Sequence, residues 1–232
     1  MILNGYGNNT LKDQIISNWD ELGDWVDKQQ MLISPSYLSE AKDPKYPRDA
    51  FSLGQLASKA WLLNELYPVA PYPIKDWVIL GSWIGAIVPF LHSKFIINRI
   101  YGLDFDHTSV QLSEVFNRKY FEDDWKFKGV VSDVSTLDTS KMQFFTAGEL
   151  IETKPGVVIN TSCEHMSTEW FDTADTDQLI VMQTNDSEFE EGHINVCRSV
   201  EDMQQKYPLS KTLYAGQFKM PSYTRLMQIG YK

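Results

Sequence analysis

Cysteine is nearly absent. The 232 residues hold two, Cys163 and Cys197, too few for a disulfide framework and without the paired spacing of a structural zinc site. A reduced, cytoplasmic thiol pair is the simplest reading. Positive charge is scarce too: 21 Lys and Arg stand against 31 Asp and Glu, a formal net charge of −10. No whole-molecule field therefore attracts phosphate backbones or anionic lipid. The nearest approach to a basic cluster, Lys119, Lys126 and Lys128, is interleaved with Glu122, Asp123 and Asp124. A nucleic-acid partner is disfavoured. Long apolar runs are missing as well. The longest, Trp77 to Leu91, is broken by Gly81, Ser82, Gly85 and Pro89, whereas a membrane span needs about 20 apolar residues. The start, MILNGYGNNTLKDQ, has no basic segment leading into an apolar one, so no secretory leader is expected. Internal repeats and low-complexity segments are absent.

What is present is enough apolar material for a sizeable core, 43% hydrophobic and 13% aromatic. Ile15, Ile16, Trp19, Leu22 and Val26 recur at helical spacing. Ser34 to Arg48, rich in proline and charge, reads as a loop. A second helix follows Phe51, with Leu53, Leu56, Ala57, Ala60 and Leu63 on one face. It stops at Tyr67-Pro68, and Pro71 and Pro73 prevent its resuming. Residues 68 to 75 thus divide a helical preface, 1–75, from a second region, 76–232.

There the rhythm is strand, turn, helix. Trp77–Leu80, Ile100–Leu103, Gly129–Asp133, Val157–Ile159 and Leu179–Met182 are short apolar strands. Helices are expected from Ala86, from Thr108 and Ser109, and over Ser199 to Lys206. Two further strands, Thr212 to Lys219 and Arg225 to Tyr231, are joined so tightly that they must be antiparallel. The pattern predicts an α/β fold: a seven-stranded, mostly parallel, doubly wound sheet with an antiparallel C-terminal hairpin strand, preceded by N-terminal helices.

Ligands of such sheets bind beyond the carboxyl ends of the strands, and several ends here are polar. Leu80 to Gly85, LGSWIG, places Gly81 and Gly85 in a strand-to-helix turn, where backbone can approach a ligand. It is not the GxGxxG dinucleotide fingerprint. Asp104 stands 23 positions after Gly81, at the end of the next strand, where a carboxylate accepts hydrogen bonds from both hydroxyls of a ribose. Its alternative role is helix capping, for which Asp106 is better placed. Asp133, with Val134, lies where an adenine edge would come, or is an ordinary turn aspartate. The fourth strand runs directly into Asn160-Thr161-Ser162-Cys163-Glu164-His165, which is either a surface turn or the mouth of an active site. His193 follows the polar exit Gln183-Thr184-Asn185-Asp186 of the fifth strand. Cys163 reads as a small buried residue, not a nucleophile. Glu188-Phe189-Glu190-Glu191 reads as a solvated loop, and no His–carboxylate spacing along the chain announces a metal site.

As a set, three of these segments resemble the class I S-adenosylmethionine-dependent methyltransferases. IYGLDFDHTSVQLSEVF (100–116) is similar to their second strand and helix, WVILGSWIGAI (77–87) to their glycine-rich first motif, and GVVSDVSTLD (129–138) to their third-strand acidic motif. The terminal hairpin matches the antiparallel seventh strand that this fold inserts beside the fifth. The resemblance covers residue 76 to the end. It departs from the family where ILGSWIG replaces an acidic first strand and GxGxG, which puts the hold on the methionine moiety in doubt.

The resemblance implies S-adenosyl-L-methionine as cofactor, held by Gly81, Ser82, Gly85, Asp104, Phe105, Asp133, Val134 and Asn160. It also implies a lid or substrate pocket in the preface, where Tyr6, Trp19, Trp25, Tyr37, Phe51 and Trp61 are the aromatic candidates, though most of them read as ordinary core. Methyl transfer is an in-line displacement in which positioning matters most. Glu164, His165 or His193 can take a proton from the acceptor, a small molecule or a side chain. Gln55 and Lys59 lie near the helix entering the first strand but are not assigned to the site. Three other readings remain beside it: transfer of the aminocarboxypropyl arm, a nicotinamide-dependent oxidoreductase, and a non-catalytic binding protein that keeps the fold. The oligomeric state is not written in the sequence.

Overall fold

The computed structural model describes residues 47–70, 75–122, 125–146, 148–220 and 222–232. The expected helix around Ile15 to Val26, most of the proline-rich loop, Tyr6, Trp19, Trp25 and Tyr37 lie outside those residues. So does most of the segment read as a lid.

A short 3-10 turn, Arg48–Phe51, leads into helix α1, Leu53–Leu66. Ser52 starts the helix, its hydroxyl accepting the Gln55 N–H at 3.3 Å. Leu56, Ala57, Ala60 and Leu63 are buried, the face their spacing predicts, and Trp61, an aromatic candidate for the substrate pocket, is buried beside them. Pro68 ends it: Tyr67 before it is still helical and donates to the Leu63 carbonyl, but proline has no N–H to continue the ladder.

Nine strands follow: β1 Trp77–Leu80, β2 Ile100–Asp104, β3 Phe127–Val131, β4 Met142–Thr146, β5 Glu149–Thr153, β6 Val157–Asn160, β7 Leu179–Asn185, β8 Lys211–Lys219 and β9 Thr224–Tyr231. Seven make one sheet in the order β3-β2-β1-β6-β7-β9-β8. β1 pairs in parallel with β2 and β6, β2 with β3, and β6 with β7. β9 alone runs against the others, between β7 and the edge strand β8. Helices α2 Val88–Lys94, α3 His107–Phe116, α4 Arg118–Glu122, α5 Glu169–Thr173 and α6 Val200–Lys206 complete the described elements. None of the described helices is long and apolar enough to cross a membrane.

Alternation along the strands builds a core on each face. Trp77 and Ile79 join Trp61, Leu62, Phe90 and Phe127 on one side. Val78 and Leu80 join Trp170, Met203 and Tyr207 on the other. Each such side chain, when fully buried, contributes roughly 1.5–3 kcal/mol. Covering both faces is what lets the central strands be apolar throughout.

Three boundaries depart from the sequence reading. α2 begins at Val88, with Pro89 in its first turn, where the missing N–H does no harm. β3 ends at Val131, so Asp133 lies beyond the sheet, capping the 3-10 turn Val134–Thr136. β7 continues through Gln183, Thr184 and Asn185, all buried. Three of the four polar residues expected as its exit are strand, and only Asp186 lies beyond it. The short helices α4 and α5 were not foreseen, nor was the separate antiparallel hairpin of β4 and β5, of which Met142, Phe144 and Ile151 lean on the second core.

Candidate active site

Because β1, β2, β6 and β7 are parallel, the loops after all four strands emerge at one edge of the sheet. The turn after β1 is left-handed at three places: Gly81 at φ +62°, Trp83 at φ +49° and Gly85 at φ +66°. Glycine adopts this region without strain, whereas Trp83 does not. The turn is fixed from the end of β2. Asp104 accepts the Trp83 N–H on Oδ2 at 2.8 Å and the Asp106 N–H on Oδ1 at 3.0 Å. Each carboxylate oxygen keeps a second acceptor position. Helix capping falls to Asp106, which takes the Thr108 and Ser109 N–H groups.

The other candidate cofactor contacts spread along the same edge. Phe105 is 81% exposed beside Asp104, its ring offered to solvent. Asp133 is exposed and accepts from the Ser135 N–H and hydroxyl, which hold its pKa below the usual carboxylate range. Val134 is buried in the second core. Ser82 is buried, and its hydroxyl has no hydrogen-bond partner among the described residues. Asn160 is fully buried. Its Oδ1 accepts the Ser162 N–H at 3.0 Å and its amide nitrogen contacts Met166 Sδ at 3.1 Å, so it shapes the loop after β6. That loop brings Ser162 and Met166 over Gly81: a Cβ on Gly81 would lie 3.1 Å from Met166 Cε and 3.3 Å from Ser162 Cβ.

The three residues expected to handle protons do converge. Glu164, His165 and His193 line one cleft of about 730 Å³, together with Asp49, Gln55, Asn185, Tyr223 and Arg225. Glu164 and His165 sit on the 3-10 turn Cys163–His165, directly after β6. His193 comes from the loop after β7, clamped to that turn by the Ile194 and Asn195 N–H groups, which donate to the Glu164 carbonyl at 2.8 and 3.0 Å. The two imidazole rings meet edge to face, centroids 4.6 Å apart. Glu164 is almost wholly buried; its Oε1 accepts from Asn185 Nδ2 at 2.6 Å and Arg225 Nη1 at 3.2 Å.

Asn185 and Arg225 escaped the sequence reading as site residues. They face each other in the β7–β9 register, and the signal was Arg225, the single cation in the otherwise buried β9. Gln55 lines the cleft, held by Lys59 Nζ, which donates to its Oε1 at 2.9 Å. Burial, with the Arg225 guanidinium nearby, brings the Lys59 pKa down to about 7. Cys163 is fully buried, and burial pushes its thiol well above the ordinary range, which leaves it unsuited to nucleophilic attack.

Neither a protein-family model nor any curated protein matches the sequence. Solved structures do resemble the fold. Magnesium protoporphyrin IX methyltransferase from Synechocystis PCC 6803, with bound SAH, has a TM-score of 0.59 at 11% identity, over 96% of this chain and 98% of that one. The N-methyltransferase NodS from Bradyrhizobium japonicum WM9, in complex with S-adenosyl-L-homocysteine, has 0.58 at 10% identity, over 86% and 99%. Geranyl diphosphate methyltransferase, in complex with GPP and sinefungin, has 0.56 at 11% identity, over 76% and 78%. At these identities the likeness is one of fold, the Rossmann-like fold of class I methyltransferases.

Proposed function

We propose that the protein is an S-adenosylmethionine-dependent methyltransferase acting on a small molecule or a side chain. The observation that carries this reading is the left-handed glycine turn after β1 tied to a carboxylate at the end of β2, by the bond from Trp83 N–H to Asp104. The spare acceptor positions of Asp104 suit the two hydroxyls of a ribose, and exposed Phe105 suits the face of a base. The fold neighbours named above, two of them holding S-adenosylhomocysteine, support the same cofactor.

On this reading the acceptor enters the cleft at the ends of β6 and β7. Its lone pair attacks the methyl carbon in line with the carbon–sulfur bond. That bond breaks, its electrons stay on sulfur, and S-adenosylhomocysteine leaves. If the acceptor arrives protonated, its proton must be lost, and Glu164, His165 and His193 are the groups placed to bring that about. The cleft's burial of one ion pair among polar groups suits a polar acceptor rather than a lipid tail.

Calorimetric titration with S-adenosylmethionine and S-adenosylhomocysteine, with NAD as control, tests this. Both nucleosides bind, NAD does not, and Asp104→Ala weakens binding by about 1.5–3 kcal/mol, tenfold or more, as expected for hydrogen bonds to a charged group. Absence of binding by either nucleoside overturns the reading. Recovery of methylthioadenosine in place of S-adenosylhomocysteine after turnover would assign aminocarboxypropyl transfer instead.

A further inference from the structure

We propose that Glu164, His165 and His193 bind a divalent first-row transition-metal ion at the wall of the cleft, through one carboxylate oxygen and the two imidazole Nε2 atoms. One ligand-type atom from each of the three lies within 4.8 Å of the others. The chain spacing hides this grouping, since His193 is brought in by the loop after β7.

Both histidines are prepared as ligands in the same way. His165 Nδ1 is 3.2 Å from the Gly192 carbonyl, and His193 Nδ1 is 2.7 Å from the Ser187 carbonyl. A carbonyl only accepts, so each Nδ1 carries a proton, and in the neutral ring Nε2 is then the atom with the lone pair. Such outer hydrogen bonds fix the ring and its tautomer in metal-ligating histidines. The third ligand is fixed likewise. Oε1 of Glu164 is engaged by Asn185 and Arg225, while Oε2, also buried, has no hydrogen-bond partner among the described residues. A buried carboxylate oxygen left without a donor is unfavourable, and a cation satisfies it.

Charge agrees. Among the residues lining the cleft, Asp49, Glu164, Glu190 and Glu191 oppose Arg225 alone. The excess offsets the guanidinium that would otherwise repel an ion. Two imidazoles and a carboxylate suit zinc, iron, cobalt or manganese better than magnesium or calcium, which prefer oxygen. Ligand atoms around such an ion stand about 3 Å apart for bonds of about 2.1 Å, so from separations within 4.8 Å the trio closes by up to about 2 Å. Glu164 is held by Asn185 and Arg225, so the closing movement falls to the loops that carry the two rings, each ring moving with the carbonyl that orients it.

Three protein ligands leave positions open toward the cleft. Resting on the methyltransferase reading, those positions would take an oxygen of the acceptor, which narrows it to a hydroxyl or carboxyl compound. An ion there lowers the pKa of a bound hydroxyl, and its proton leaves to solvent before attack on the methyl carbon.

The metal claim is tested without any cofactor, so its failure leaves the methyltransferase reading standing. Chelator-stripped full-length protein is titrated by calorimetry with Zn²⁺, Mn²⁺ and Mg²⁺, and with Co²⁺ by visible absorption. One transition-metal ion binds per chain, at least about 100-fold tighter than Mg²⁺. His165→Ala and His193→Ala each weaken it by about tenfold or more, while His107→Ala leaves it unchanged. Crystals soaked with Mn²⁺ or Zn²⁺ show an anomalous peak between the three side chains, a readout that does not depend on any variant folding. No saturable binding by the wild type, wild-type affinity in both histidine variants, or a peak elsewhere overturns the proposal.

Discussion

Arg225 and Glu164 show what a single buried pair does in this molecule. Both are nearly sealed from water, and the guanidinium stands 3.2 Å from the carboxylate, 5.7 Å from the centre of the Tyr223 ring. Removing one partner leaves the other charge buried and unpaired, which costs about 3–5 kcal/mol. Urea denaturation should show Arg225→Met losing about that much, and Glu164→Leu combined with Arg225→Met losing clearly less. Equal losses in the two proteins would mean that solvent in the cleft screens the charge. Gly85 makes a second point at this scale. It combines φ +66° with a carbonyl that accepts from Asn117 Nδ2, and a Cβ would lie 2.7 Å from that same nitrogen. Gly85→Ala is therefore expected to lower stability by at least about 1–2 kcal/mol, the strain of the left-handed region alone. A thermal unfolding midpoint equal to the wild type's would refute it.

Within α1, Lys59 connects a helix to the chemistry of the cleft and gives stability a pH dependence. It releases its proton near pH 7 in the fold and only near 10.5 in the unfolded chain. Between those values the unfolded chain binds the extra proton, so this residue makes stability rise with pH. The buried thiols work the other way. Their pKa values are raised above the ordinary 9.0, so the unfolded chain loses protons first once pH exceeds about 9 and stability falls. The urea midpoint should accordingly be higher at about pH 8.5 than at about pH 6.5, and Lys59→Met should remove most of that rise. α1 is also an element whose periodicity the sequence displays openly, as are β1, β2 and β6, where apolar runs meet no competing pattern. The β4–β5 hairpin is hidden because apolar residues occupy its outer face: Phe145 is 73% and Leu150 54% exposed, which destroys the two-residue alternation. The tail of β7 is hidden for the opposite reason. Gln183 looks like loop until Ser58 of α1 supplies its partner, the hydroxyl donating to Oε1 at 2.9 Å. The site follows the same rule. Glu164 and His165 were legible as a polar break after β6, whereas their union with Asn185 and Arg225 depends on strand register, which no local pattern encodes.

At the scale of the whole chain, Asp104, the proposed ribose contact, and the cleft of Glu164, His165 and His193 lie over different strands of one continuous sheet. A ligand bound at either place stabilises the native state by mass action, by about 2.7 kcal/mol at 100 times its dissociation constant. For a chain of this size each kcal/mol moves the midpoint by roughly 2–4 °C. S-adenosylhomocysteine at that excess should thus raise it by about 5–10 °C. The same concentration should do much less for Asp104→Ala, and NAD should do nothing. If Zn²⁺ binds separately at the cleft, its shift adds to the first. Sharing of one position by the two ligands would instead make the combined shift no larger than the greater of the pair. A scan with each ligand alone and then both together separates these cases. Additive shifts place the acceptor side of the reaction beside the cofactor, not on it, which is the arrangement an in-line transfer between two bound partners requires.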